Sequence, residues 1–283
     1  MSIVVTAATG HLGTLVIDEL LQRVPADQVV AVARNAAKAT PIADRGVEVR
    51  VADYNDPDAL AKAFGAGDTV LLISGLEPNR REQHQAVITA AKNAGVARIA
   101  YTSVLGGPDA DFDLAADHIA TEQAILDSGL PYTFLRNGWY NEVYTDQIAV
   151  QLANGVVGSA GDGRIASAAR RDFAAAAAVV LTGEGHEKKA YELNGDSAFT
   201  LTEYAAELSK QSGQDVAYNN LSPEDLTQVL TGAGIPAPFV PILVGVDNAI
   251  ERGLLASRGS DLTRLIGRPT TPIADTIAAA LKN

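Results

Sequence analysis

The stretch VVTAATGHLG, residues 4–13, carries the first chemistry in this chain. It reads as a buried strand entering a turn and then a helix, with Gly10 and Gly13 at the spacing of a dinucleotide-binding loop. Gly10 would let the backbone approach a pyrophosphate. Gly13 would let the helix pack close to the strand. The helix N-terminus would add N–H donors and the positive end of its dipole. Thr6, Thr9, His11 and Leu12 complete the candidate cofactor-binding loop. Where the pattern wants its first glycine there is Ala7, or Ala8 in the other register. A left-handed conformation there would strain an alanine. We expect a negative φ, because the substitution falls before Gly10 and not at it. The competing reading is a glycine-rich turn that merely packs.

The end of the second strand separates two dinucleotides. An acid there suits the ribose 2′-hydroxyl of NAD, and a basic residue suits the 2′-phosphate of NADP. This chain has Arg34, with Lys38 one turn later, so NADPH is the expected cofactor and NADH the weaker alternative. A guanidinium grips phosphate through two parallel hydrogen bonds; a surface arginine after a strand is the ordinary alternative. Asp53, after the third strand, is a candidate for the adenine end, or else a turn residue. Ser74 and Gly75 end the fourth strand, and Thr102 and Ser103 end the fifth. Both places should lie near the nicotinamide ribose, unless they are routine loop chemistry.

Other chemistries are excluded or disfavoured. The chain has no cysteine, which removes thiol catalysis, disulfides and Cys-ligated zinc. Its four histidines, at 11, 84, 118 and 186, show no metal-ligand spacing. A net charge of −12 argues against nucleic-acid binding. The apolar run at the N-terminus breaks at Thr6 and reads as a strand rather than a signal peptide. The mostly alanine run from Phe173 to Leu181 is too short to span a bilayer. A soluble cytoplasmic protein, with no membrane or nucleic-acid partner, is the expectation, and a homodimer remains open.

The elements that must position these residues follow from periodicity. Short β-branched runs at 3–6, 28–34, 47–53, 69–74, 97–103 and 132–136 alternate with amphipathic stretches at 12–23, 56–65, 80–94 and 115–128. Asp56 and Pro57 mark a capped helix start. Strands apolar on both faces and separated by helices indicate an α/β fold, a Rossmann-like doubly wound parallel sheet. The stretch 190–195 reads as a seventh strand. Helices are expected at 200–213, capped by Thr200 and stopped by Gly213, at 222–234, and at about 243–255 after a break at PAPFVPIL. The expected division is a dinucleotide-binding domain over 1–138, with 160–198 adding to it. A smaller, mostly helical substrate lobe would take 199–283 and about 139–159.

Many reductases of this architecture carry a tyrosine with a lysine four residues on. None of the tyrosines at 54, 101, 132, 140, 144, 191, 204 and 218 has one. Without that proton donor the chain is poorly suited to interconverting simple ketones and alcohols. An acceptor whose reduced anion is stable enough for water to protonate needs no such donor, and proximity in a dry cleft then does most of the work.

The segments TAATGHLG, AVARN, HIATEQAILDSGLPYTFLRNGWYNE and SAGDGRIASAARRDFAAAAAVVLTGEGHEKKAYELNGDSAFTLTEYAAELSKQSG resemble the NmrA-like group of atypical short-chain dehydrogenases, over nearly the whole chain. The resemblance implies an NADPH-binding Rossmann domain, a small C-terminal substrate lobe and two-electron quinone reduction. Other members bind the dinucleotide as redox sensors, or reduce planar electrophiles such as triphenylmethane dyes. It also implies three candidate catalytic residues. His118 stands where relatives have a lysine, and would bond the nicotinamide ribose or deliver a proton, unless it is a helix-face residue without a role. Asn137 and Tyr140 belong to the matching NGWY. Gly138, Trp139 and Tyr140 would bind substrate, the two aromatics walling a planar ring; hinge packing is the alternative.

Overall fold

The β-branched runs do form strands. In the computed structural model, which describes residues 1–282, they are β1 (Ile3–Val5), β2 (Val29–Ala33), β3 (Glu48–Val51), β4 (Thr69–Leu72), β5 (Arg98–Val104) and β6 (Tyr132–Asn137). Between them run α1 (His11–Leu20), α2 (Ala36–Ala43), α3 (Pro57–Ala63), α4 (Arg80–Ala94) and α5 (Ala115–Ser128). The remaining elements, in chain order, are α6 (Glu142–Thr145), α7 (Ile148–Asn154), β7 (Val156–Gly158), α8 (Arg170–Thr182), β8 (Lys189–Leu193), α9 (Leu201–Ser212), β9 (Tyr218–Asn220), α10 (Pro223–Gly232), α11 (Val240–Glu251), α12 (Asp261–Ile266) and α13 (Ile273–Ala280).

The main sheet has seven strands in the order β3-β2-β1-β4-β5-β6-β8, and every pairing from β3 through β6 is parallel. Strand order reverses between β1 and β4. In an open α/β sheet that reversal opens a crevice at the carboxyl ends of the strands, where ligands bind. The loops leaving β1, β2 and β4 therefore carry the site. β2 and β5 are buried along their whole length, as strands covered on both faces must be.

The chain divides into two compact units. The first comprises Met1–Val104, Asp117–Asn137 and Arg171–Tyr191. Its core is aliphatic, built on Val4, Leu60, Leu72, Ile88, Ile99 and Ile125 around the fully buried Tyr101. After residue 138 the chain returns to this unit over Arg171–Tyr191, and β8 adds the last strand of the sheet. Asp56 caps α3 by accepting the Ala59 N–H at 3.0 Å. Arg98 donates to the Val180 carbonyl at 2.8 Å, tying the edge of β5 to α8.

The second unit takes Leu105–Ala116, Gly138–Arg170 and the chain from Glu192 onward. Its core gathers Ile148, Ile165, Phe199, Tyr204, Val246 and Ile250. A two-stranded parallel sheet of β7 and β9 lies within it, which the sequence reading lacked. Each strand is only three residues long, too short to leave a period. Thr200 and Glu203 form a reciprocal capping box on α9, and Gly213 ends it at φ 72°. Helix α11 starts at Val240 rather than near 243. Pro241 sits in its first turn, where a missing N–H costs nothing, so this proline opens the helix instead of preceding it. Among the described residues no helix is long and apolar enough to cross a membrane.

Candidate functional site

The turn between β1 and α1 is tight. Gly10 donates its N–H to the Ala7 carbonyl at 2.9 Å. To make that turn Ala7 adopts φ 48°, one of two positive-φ residues other than glycine among those described. The expected negative φ is therefore wrong. The glycine usual at this position is required by the conformation itself, and alanine bears the strain. Gly10 is extended at φ −81°, so its freedom is not conformational. It lies exposed at the N-cap with no side-chain cap bond, leaving the first N–H groups of α1 open to an anion. Gly13 is decided by contact. A Cβ there would stand 2.4 Å from the Ala7 carbonyl oxygen and 2.8 Å from the Ala8 Cα, so only glycine lets α1 approach the turn.

A cavity of about 410 Å³ opens beside this turn. Thr9, Gly10, Arg34, Lys38, Asp53 and Gly75 line it, so six of the expected cofactor residues meet at one place. Asn35 accepts the N–H groups of Ala37 and Lys38, starting α2 so that Lys38 sits on its first turn at the cavity. Asp53 does two things at once. It faces the cavity and accepts the Asn55 N–H at 2.8 Å, which shapes the loop after β3. A wider depression of about 810 Å³ runs over α3, α4 and α5, lined by several alanines and away from the glycine loop. We assign it no part in dinucleotide binding.

Several expected residues support the cavity without lining it. Thr6 is fully buried. Its hydroxyl donates to the Leu71 carbonyl at 3.0 Å and accepts from the Ile73 N–H and the Tyr54 hydroxyl. It joins β1 to β4 across the switch point and has no bond left for a ligand, which corrects its assignment to the cofactor. Leu12 is buried in the core, while His11 is exposed on the first turn of α1. Ser74 and Thr102 come together as a pair. The Ser74 N–H donates to Thr102 Oγ1 at 2.8 Å, and Thr102 Oγ1 donates to Ser74 Oγ at 3.3 Å. The buried Ser103 hydroxyl has no protein partner among the described residues.

Three residues missed in the sequence matter to the cavity. Tyr54 lines it and shares its one hydroxyl proton between Thr6 Oγ1 and the Ile73 carbonyl, and burial pushes its phenol far above the ordinary range. Glu77 lines it and pairs with Arg34 at 2.9 Å. His84 lies beneath its rim. The Gly75 N–H donates to His84 Nε2 at 3.1 Å, so the proton is on Nδ1, which donates to Thr121 Oγ1 at 3.0 Å. Thr121 in turn donates to the Asp117 carbonyl. The cofactor loop after β4 is thus fastened to α5 through an imidazole. Desolvation, then the Arg80 charge, hold His84 near pKa 4 despite Asp117. None of the three leaves a motif, because each has a partner 37 or more residues away: Thr6 for Tyr54, Arg34 for Glu77 and Thr121 for His84.

His118 is buried, with Nδ1 2.8 Å from the Tyr101 hydroxyl. Desolvation, with His84 and Arg80 nearby, lowers its pKa to about 3. It is therefore a neutral imidazole at physiological pH, with one ring N–H. Asn137 ends β6 in the first unit, 6% exposed. Gly138, Trp139 and Tyr140 open the second. A Cβ on Gly138 would stand 2.9 Å from the Leu193 carbonyl oxygen, which its own N–H contacts at 2.6 Å. Tyr140 is half-exposed under the Arg170 guanidinium, 5.4 Å from its ring centre. Trp139 is half-buried against the second core, beside Tyr144. Asn141, missed in the sequence, is fully buried. It holds the segment through Ser167, the Thr271 carbonyl and Thr276.

An uncapped helix N-terminus, a glycine that admits the helix to the turn, and two cations at a cavity on the switch point suit a dinucleotide diphosphate. The chain matches the NAD(P)H-binding family over residues 7–184, and it belongs to that family. It is 49% identical over 278 residues to quinone oxidoreductase 2 of Escherichia coli, covering 98% of this chain and 97% of that protein. It is 30% identical over 277 residues to the NAD(P)H azoreductase of Xenophilus azovorans, covering 96% of each. Among solved structures, the NADPH complex of the E. coli NADPH-dependent quinone oxidoreductase matches with TM-score 0.96 at 48% identity, covering 99% of this chain and all of that one. The NADP(H) complex of Citrobacter sp. triphenylmethane reductase matches with TM-score 0.94 at 41% identity, with the same coverage.

Proposed function

We propose that this protein catalyses NADPH-dependent two-electron reduction of quinones. The observation that carries the reading is near-full-length identity of 49% to a quinone oxidoreductase, joined to Arg34 and Lys38 at the switch-point cavity. Bound NADPH supplies the hydride from nicotinamide C4. The chain's own residues bind and orient. The open N–H groups of α1 and the bare Gly10 receive the pyrophosphate. Arg34 and Lys38 take the 2′-phosphate, and Asp53 meets the adenosine end. Ser74, Gly75, Thr102 and Ser103 hold the ribose side of the nicotinamide, with His84 fixing Gly75. In the second unit, which we read as the substrate lobe, Trp139 and Tyr140 offer aromatic faces to a planar ring, with Gly138 beside them. Protonation of the hydroquinone is left to water, since His118 is a buried neutral imidazole bonded to the Tyr101 hydroxyl and no tyrosine has a lysine four residues on. A cytoplasmic setting and a homodimer accompany this reading, and cell fractionation and light scattering check them.

The test is direct. Purified protein is mixed with NADPH, and absorbance is followed with and without a benzoquinone or naphthoquinone. Rapid quinone-dependent oxidation is expected. Tight NADPH binding with no oxidation by any quinone would leave a dinucleotide-binding sensor instead. Arg34→Glu should weaken NADPH by about tenfold or more while sparing NADH, since a hydrogen bond to a charged group is worth about 1.5–3 kcal/mol.

A further inference from the structure

Arg34 is already engaged. Its Nη1 donates to Glu77 Oε1 at 2.9 Å, and the other oxygen of Glu77 accepts the Leu76 N–H at 3.3 Å. Both carboxylate oxygens are therefore held, one by the loop after β4 and one by the arginine after β2. Glu77 and Arg34 line the same 410 Å³ cavity, and the charges of both reach the Tyr54 hydroxyl within it. A second bridge lies alongside: Asn79 Nδ2 donates to Asn55 Oδ1 at 2.8 Å, joining the loop after β4 to the loop after β3. The segment after β4 is thus tied by side chains to the two loops that would carry the adenosine half of the cofactor.

We propose that Glu77 is a specificity-determining residue: its carboxylate occupies Arg34 in the free protein as an internal anion that the 2′-phosphate of NADPH must displace. The inference rests on the reading of Arg34 as the 2′-phosphate residue. The geometry gives it a sign. An arginine fork can serve two anions only if they share its edges, and two like charges on one guanidinium repel. NADPH binding exchanges one ion pair for another and leaves Glu77 to be rehydrated. NADH has no phosphate at this position and leaves the Arg34–Glu77 pair intact. The net discrimination between the two dinucleotides is therefore smaller than the arginine alone would give. The pair is exposed, with side chains 65% and 40% accessible, so the competition is modest.

The experiment is a cycle of dissociation constants for NADPH and NADH, measured by cofactor fluorescence on the wild type, Glu77→Gln, Arg34→Gln and the double variant. Glu77→Gln should tighten NADPH by roughly two- to fivefold, the span of an exposed ion pair. It should move NADH by less than about twofold, and it should leave NADPH affinity unaltered once Arg34 is already glutamine. Weaker NADPH binding in Glu77→Gln would mean that Glu77 positions the arginine rather than competing for it, and the inference would fail. So would an equal gain for NADH, or a gain that persists without Arg34. The underlying reading fails separately: Arg34→Gln would then reduce NADPH and NADH binding alike. Unchanged thermal unfolding of Glu77→Gln confirms that folding is not being measured.

Discussion

Replacing Ala7 by glycine tests the β1–α1 turn with a change of one methyl group. At φ 48° an L-residue is destabilised by about 1–2 kcal/mol relative to its ordinary conformations. Glycine removes that strain but gains freedom in the unfolded chain, which costs about 0.4–1 kcal/mol. The native state of Ala7→Gly should therefore be more stable by about 0.5–1 kcal/mol. Urea unfolding of the cofactor-free protein reads this as a rise in midpoint at constant slope. In a thermal scan the same gain is a rise of about 1–4 °C for a chain of this size. Ala7→Val supplies the opposite arm, because a β-branched residue tolerates positive φ least. Cofactor affinity should change less than about twofold in Ala7→Gly, because strain held in both free and bound states cancels from the binding equilibrium. A loss of stability in Ala7→Gly would show that the left-handed turn stores no strain, and the argument from φ would be abandoned.

Two further outcomes follow from the same unit. Gly13→Ala should destabilise by about 1–3 kcal/mol or more, since its Cβ meets backbone atoms that cannot swing aside; calorimetry on the purified variant checks it. Stability should also fall on acidification. His84 and His118 have folded pKa values near 4 and 3, below the unfolded value of 6.5, so the unfolded chain binds the extra protons. Their contribution is complete above pH 6.5 and is lost as the pH falls toward these values, by about 2 kcal/mol per histidine between pH 7 and 5. Denaturation midpoints across that range should steepen downward, and His84→Gln should remove about half of the slope.

The first half of the chain was the more legible because its elements repeat local signals. Helices at 80–94 and 115–128 emerged with the bounds that periodicity gave them, and Asp56 capped α3 as its position before Pro57 implied. Six of the loop residues named from motif spacing line one cavity. The sequence misled where the deciding contact is distant. Thr6 resembles a loop residue, but its hydroxyl belongs to Leu71, Ile73 and Tyr54. His118 reads as a helix residue facing the cofactor, but burial beside Tyr101 and His84 keeps its imidazole neutral.

By itself, the sequence determined that strands and helices alternate, that a glycine turn opens the first helix, and that a basic residue follows the second strand. These are local facts, set by neighbours a few residues apart. Only the tertiary structure decided what those residues do. Ala7 is left-handed because its carbonyl must reach the Gly10 N–H while α1 packs over it. Arg34 meets Glu77, 43 residues away, because β1 inserts between β2 and β4 and brings the loops after them to one cavity. Conformation at a turn and pairing between charges depend on which strands become neighbours, and no local pattern in the chain encodes that order.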